Sequence, residues 1–131
     1  MYKIDKTSYG FKLTFGGQIE ADEMLKWVVD ARQKLNGVSG KFGVLVDMRE
    51  LKPLPLAAQA PMKEGQQAFK TKGMERSVVI LKDPTTTLQF KRLAKETGIY
   101  AWERYINAGE HLDWEKIAIS WITAGTDPDK R

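Results

Sequence analysis

Cysteine is absent from the chain, and histidine occurs once. The first absence excludes a disulfide framework, a thiolate metal site and a dithiol redox motif. His111 stands in a polar loop beside Glu110 and Asp113, whereas a zinc site needs three or four ligands at suitable spacing. No metal or other cofactor is therefore expected. No apolar run approaches the roughly 20 residues of a membrane span. Met1–Asp5 lack the apolar core of a signal peptide, so a cytoplasmic address is the expected one. Gly10, Gly16 and Gly17 miss the dinucleotide-binding spacing, and Ser39-Gly40-Lys41 leads into a strand-like run rather than a helix, unlike a P-loop. Basic residues are not interleaved with a row of aromatics, and no helix-turn-helix or zinc-finger spacing occurs. Nucleic acid is not an expected partner.

What remains is an ordinary globular composition, 42% hydrophobic and 29% charged. At 131 residues the chain fits one domain that buries roughly two-thirds of its unfolded surface. The net charge of +4 is uneven. Between Ala60 and Lys95 eight basic residues face three acidic ones, a surplus of five, which leaves about −1 for the rest. Such a face either steers an anionic partner or is a solvated helix surface.

Strand-like and helix-like patterns alternate along the chain. Tyr2–Asp5 fits a short edge strand. Phe11, Leu13 and Phe15 alternate with polar residues, the period of a half-buried strand, and Gly16-Gly17 marks a bulge or bend. A helix capped by Asp22 follows, with Met24, Leu25, Val28, Ala31 and Leu35 as its apolar stripe and Trp27 beside it, partly exposed; Asn36-Gly37 stops it. Phe42–Met48 is a run of the kind buried on both faces. Ala58, Met62, Gly65 and Phe69 then recur at helical spacing, with Pro55 or Pro61 at the first helical position and Gly73 at the end. Val78–Leu81 is a second buried strand, followed by an Asp83-Pro84 helix start with Phe90, Leu93, Ala94 and Thr97 inward and Gly98 as its stop. Trp102–Asn107 fits an outer strand. Asp113 caps a last helix, in which Trp114, Ile117, Ala118, Trp121 and Ile122 form an apolar face, and Thr126–Arg131 is a polar tail expected to fray.

The order β-β-α-β-α-β-α-β-α predicts a single α/β domain over residues 1–124, with a flexible tail over 125–131. Its sheet has about five strands, mixed but mainly parallel, covered by four helices and joined by right-handed crossovers. In such sheets the loops at the carboxyl ends of the strands line the crevice where ligands are met.

Three local pieces go with that order: Phe15-Gly16-Gly17-Gln18-Ile19 leading into the first helix, Gly43-Val44-Leu45-Val46-Asp47 before the second, and the closing helix ending Ser120-Trp121-Ile122. In these and in element order over Tyr2–Ala124 the chain resembles the STAS domain superfamily, and most of all its SpoIIAA-like (STAS-like) branch. The resemblance implies a regulatory binding module. It also implies, in the sporulation-type antagonists, a phosphorylatable Ser or Thr nine or ten residues beyond the strand-end aspartate. Counting from Asp47 gives Leu56 and Ala57, and no hydroxyl residue occurs between Asp47 and Thr71. A phosphorylation switch at that place is excluded, because it needs a hydroxyl.

The leading expectation is a non-enzymatic module that contacts a protein partner, or a second copy of itself. Its surface would be the proline-braced Leu51, Leu54 and Leu56 together with a helix face of Met62, Gln66, Phe69 and Lys70. Leucines between prolines in so short a connection leave apolar surface near the rim, unless they fold back over the sheet edge. A second expectation is a carrier or sensor of a small apolar or anionic amphipathic molecule, lipid-like, with Lys63, Lys70 or Lys82 meeting an anionic head; it rests on analogy with lipid-carrier folds. A third is a weak enzyme using Asp47, Arg49 and Lys82, strand-end residues that gather on one rim of a parallel sheet.

Overall fold

The computed structural model describes residues 1–130. Its elements are β1 (Tyr2–Lys6), β2 (Gly10–Gly17), α1 (Ala21–Leu35), β3 (Phe42–Leu51), α2 (Leu56–Lys72), β4 (Met74–Leu81), α3 (Pro84–Thr97), β5 (Glu103–Asn107) and α4 (Trp114–Ala124). The five strands lie in sequence order across one sheet, with β1 antiparallel to β2 and the other three pairs parallel. This is the mixed, mainly parallel α/β architecture that the alternating pattern predicts. The register of β2 against β3 shifts between Thr14 and Gly16, where the glycine pair interrupts the alternation.

Each crossover moves one strand further in the same direction, so α1, α2 and α3 share one face of the sheet. The α4 helix has no later strand to reach and covers the other face. Two apolar cores result. The larger lies under the first three helices and takes Phe11, Leu13, Phe15, Val44, Val46, Val79 and Leu81 from the strands. The smaller lies under α4 and takes Leu45, Val78, Ile80 and Ile106 against Ala118, Trp121 and Ile122. Alternation along β3 and β4 sends successive residues to opposite cores, which is why those runs are apolar throughout.

Two glycines make the helix contacts possible. A Cβ on Gly65 would lie 1.9 Å from Cζ3 of Trp27, and one on Gly43 would lie 2.3 Å from Cγ2 of Ile122. Gly65 thus lets α2 close onto the indole of α1, and Gly43 lets α4 settle on β3.

Several local expectations change. The N-cap of α1 is Glu20 rather than Asp22, and it makes no side-chain capping bond. Leu25 faces solvent although it falls in the apolar stripe, while Trp27 is buried, stacked on Phe69 and edge-on to Phe15. Neither proline takes the first position of α2: Pro55 is the N-cap and Pro61 lies inside the helix, in its second turn. Trp102 ends a single 3-10 turn, and β5 begins one residue later. In the polar tail, Asp127 is held by a two-pronged ion pair with Arg104, at 2.8 and 3.0 Å.

Candidate functional site

The proline–leucine segment is pinned rather than open. Gln89 of α3 grips Leu54 at both peptide groups: its Oε1 accepts from Leu54 N at 2.8 Å, and its Nε2 donates to Leu54 O at 3.1 Å. Thr86 Oγ1 reaches the Leu51 carbonyl at 3.5 Å. Leu51 and Leu54 accordingly turn inward, each 3% exposed. This corrects the expectation that they form a docking surface: a segment clamped to α3 by its backbone buries the side chains that alternate inward. Leu56 alone of the three stays out, at 83% exposure on the first position of α2.

The helix face drawn around Met62, Gln66, Phe69 and Lys70 divides in the same way. Met62, Gln66 and Phe69 are buried beneath the helix and cannot dock anything from outside. Lys70 is exposed, but its Nζ donates to Thr97 O at 3.3 Å, bonding a last-turn carbonyl of α3. It therefore lies at the far end of α3 from the rim where that helix begins.

At the carboxyl ends of the strands, Asp47 and Arg49 are brought together and Lys82 is not. Asp47 Oδ1 accepts from Arg49 N and Nε at 3.1 and 3.0 Å, and Oδ2 accepts from Nη2 at 2.9 Å. The guanidinium also sits 4.5 Å from the ring centre of Trp114, at the start of α4. Burial pushes the Asp47 carboxyl up, but three hydrogen bonds from Arg49 outweigh it and hold the group below the usual carboxylate range. Three of the four acceptor positions of this carboxylate are thus taken by Arg49. Asp47 and Arg49 border one surface hollow with Gly16, Gly17 and Gln18, whereas Lys82 borders another with Leu88, Lys91, Asn107 and His111. The acid–base trio is not assembled. Among the described residues no cluster of three His, Asp or Glu side chains is placed to hold a metal ion, and no helix is long and apolar enough to cross a membrane.

The same rim carries three exposed leucines: Leu56 beyond β3, Leu88 early in α3 beyond β4, and Leu112 beyond β5, at 83%, 69% and 98% exposure. Lys82 and Lys91 flank Leu88 in its hollow. Two of these leucines escape a reading based on motifs. A signal was nevertheless present: Leu88 falls off the stripe of Thr86, Phe90, Leu93 and Thr97, and Leu112 stands between His111 and Asp113.

A second feature lies inside the larger core. A cavity of about 30 Å³ is bounded by apolar side chains, among them Phe15, Met48, Met62 and Phe69, and by four polar residues: Trp27, Gln66, Ser77 and Glu103. Glu103 on β5 is buried, with Ser77 Oγ 2.9 Å from one oxygen and Tyr105 Oη 2.6 Å from the other. Burial pushes its carboxyl up to about 7, against the pull of those two hydroxyls. Gln66 accepts from Thr97 Oγ1 at 2.9 Å. The indole Nε1 of Trp27 is buried with no hydrogen-bond partner among the described residues. Alternation along β5 could have flagged Glu103, since it shares a face with Tyr105 on a strand covered by helices. The chamber can hold a proton on Glu103 near neutrality, and the residues of its walls are all buried.

No protein-family model matches this chain, and no curated protein matches it.

Proposed function

We propose that the chain is a non-enzymatic, STAS-like binding module that meets a protein partner with the carboxyl rim of its sheet. The observation that carries this reading is the exposure of Leu56, Leu88 and Leu112 at successive strand-to-helix junctions. Large apolar side chains left outside on one rim lower solubility for no gain in packing, and exposed apolar surface of this kind marks sites of association.

Leu56 is the most telling of them. It occupies the first position of a helix whose first turn has no acidic residue and whose cap makes no side-chain bond. An acidic residue there would favour the helix by roughly 0.3–1 kcal/mol through the dipole. A leucine that stability does not ask for is explained by what it touches in a complex. Lys82 and Lys91, beside Leu88, suit a partner segment that is apolar with acidic flanks. The element order and strand order support the STAS-like kinship. With Leu56 and Ala57 at the start of α2, recognition there works without phosphate.

The test is affinity purification from the source cells with the native chain and with Leu56→Asp/Leu112→Asp. The reading expects a defined partner recovered with the native chain and lost with the variant, both forms being equally folded. Recovery of the same partner by both would refute it.

A second reading, a carrier or sensor of a small apolar or anionic ligand, would place its guest in the cavity. Its volume accommodates a water or two. A lipid-like guest would have to displace Met48, Met62 and Met74, the adaptable side chains of its wall. Gentle native mass spectrometry of protein from source cells decides it: a co-purifying organic mass supports a carrier, and a bare chain mass removes that reading.

A further inference from the structure

The outer edge of β1 is a strand edge with unused backbone groups. Met1 and Gly16 exchange backbone bonds at 2.7 and 2.9 Å, and Thr7 and Gly10 do the same at 2.9 and 3.4 Å. In an antiparallel pair such bonded positions alternate. Lys3 and Asp5 therefore direct their peptide groups to β2, while those of Tyr2, Ile4 and Lys6 point outward. Among the described residues these outward groups have no partner, because β1 is the terminal strand. Tyr2 and Ile4 pack against the core under α1, which places Lys3 and Asp5 on the opposite face of the strand, Lys3 exposed and Asp5 half-buried, with their charged ends 3.8 Å apart.

We propose that β1 pairs antiparallel with β1 of a second copy of this chain about a two-fold axis at Ile4, joining two sheets into one of ten strands. The register follows from the charges. Centred on Ile4, the pair sets Lys3 opposite Asp5 of the second copy and Asp5 opposite its Lys3, both at non-hydrogen-bonded positions, where Cα atoms approach to about 4.5 Å. Six backbone bonds form, from Tyr2, Ile4 and Lys6 of each copy, and the two Ile4 side chains meet. Sliding the pair by two residues sets Lys3 against Lys3 or Asp5 against Asp5. Lysines on a short edge strand ordinarily repel foreign strands. Here the same charges admit one partner in one register. This surface is separate from the leucine rim, so either assignment stands or falls without the other.

The contact is small and belongs to the weak end of interfaces. Sedimentation equilibrium of the whole chain from about 10 µM to 1 mM reads it. The native chain is expected to rise from monomer toward dimer mass across that range. Lys3→Asp, which sets two carboxylates face to face across the seam, is expected to remain monomeric, and Lys3→Asp/Asp5→Lys to recover the dimer. Ile4→Pro removes an outward N–H without touching a bond to β2, and is expected to be monomeric while keeping the native circular dichroism. A native chain monomeric throughout would overturn the proposal, as would a dimer indifferent to Lys3→Asp and Ile4→Pro.

Discussion

At the scale of the residue, Glu103 governs how stability responds to pH. Its carboxyl stands at about 7 in the folded chain and near 4.5 when unfolded, because burial penalises the charge. Between those values the unfolded chain releases the proton and the folded chain keeps it, so stability falls as pH rises through this window. At 1.36 kcal/mol per unit the loss is about 3 kcal/mol by pH 8. Glu103→Gln preserves contacts to the Ser77 and Tyr105 hydroxyls and carries no charge to bury. Urea unfolding at pH 5 and pH 8 is expected to show a fall for the native chain and a nearly flat response for the variant; equal slopes would contradict the assignment. Gly65 is a second such position. The Cβ of Gly65→Ala has no room beside the Trp27 ring, so α1 and α2 must part, with a loss of roughly 1–3 kcal/mol measurable as a lowered urea midpoint. Neither residue announces itself in the sequence. A glutamate in a five-residue strand and a glycine in a helix acquire their roles only from what lies across the fold.

At the scale of the element, the stretch between β3 and α2 shows most clearly how far local pattern carries. Alternation, glycine stops and the Asp83-Pro84 start were enough to read the order of strands and helices. Asp83 caps α3 as expected, accepting from Thr86 N at 2.8 Å, and those bonds to Thr86 hold its carboxyl below the usual range. Asp83→Ala is expected to lower the thermal unfolding midpoint, since the first turn of α3 loses its cap. The destination of the leucines was not legible, because it depends on Gln89, which lies 35 residues beyond Leu54 in sequence. Gln89→Ala leaves the Leu54 N–H without a partner and its carbonyl with only Gln59 Nε2, at 3.4 Å, and is expected to destabilise by about 1–3 kcal/mol, with faster amide exchange confined to residues 51–56. For the same reason Leu54→Asp and Leu56→Asp part company. The first places a charge in the core and is expected to unfold the chain; the second changes stability by less than about 0.5 kcal/mol. Matching urea midpoints for the two would contradict the inward placement of Leu54.

At the scale of the molecule, the sheet keeps two kinds of surface apart. Its helical flanks carry charge that is partly self-neutralised, beside the exposed Leu25 and Val29 of α1: Glu96 of α3 pairs with both Lys63 and Arg92, absorbing some of the basic surplus read from the sequence. Its carboxyl rim holds the occupied Asp47–Arg49 pair on the α4 side and leaves leucines standing at three junctions. That the strand-to-helix connections gather on one rim of the sheet was legible from strand–helix alternation alone. Which side chains stand there was not, because exposure is settled by packing across the fold. Those leucines are the proposed contact surface. A photo-reactive residue placed in turn at Leu56, Leu88 and Leu112, with Gln33 on the outer face of α1 as control, reads this most directly in source cells. The expected result is one covalent adduct, of the same partner, from all three rim positions and none from position 33. Adducts of equal yield from position 33, or none from the rim, would contradict it.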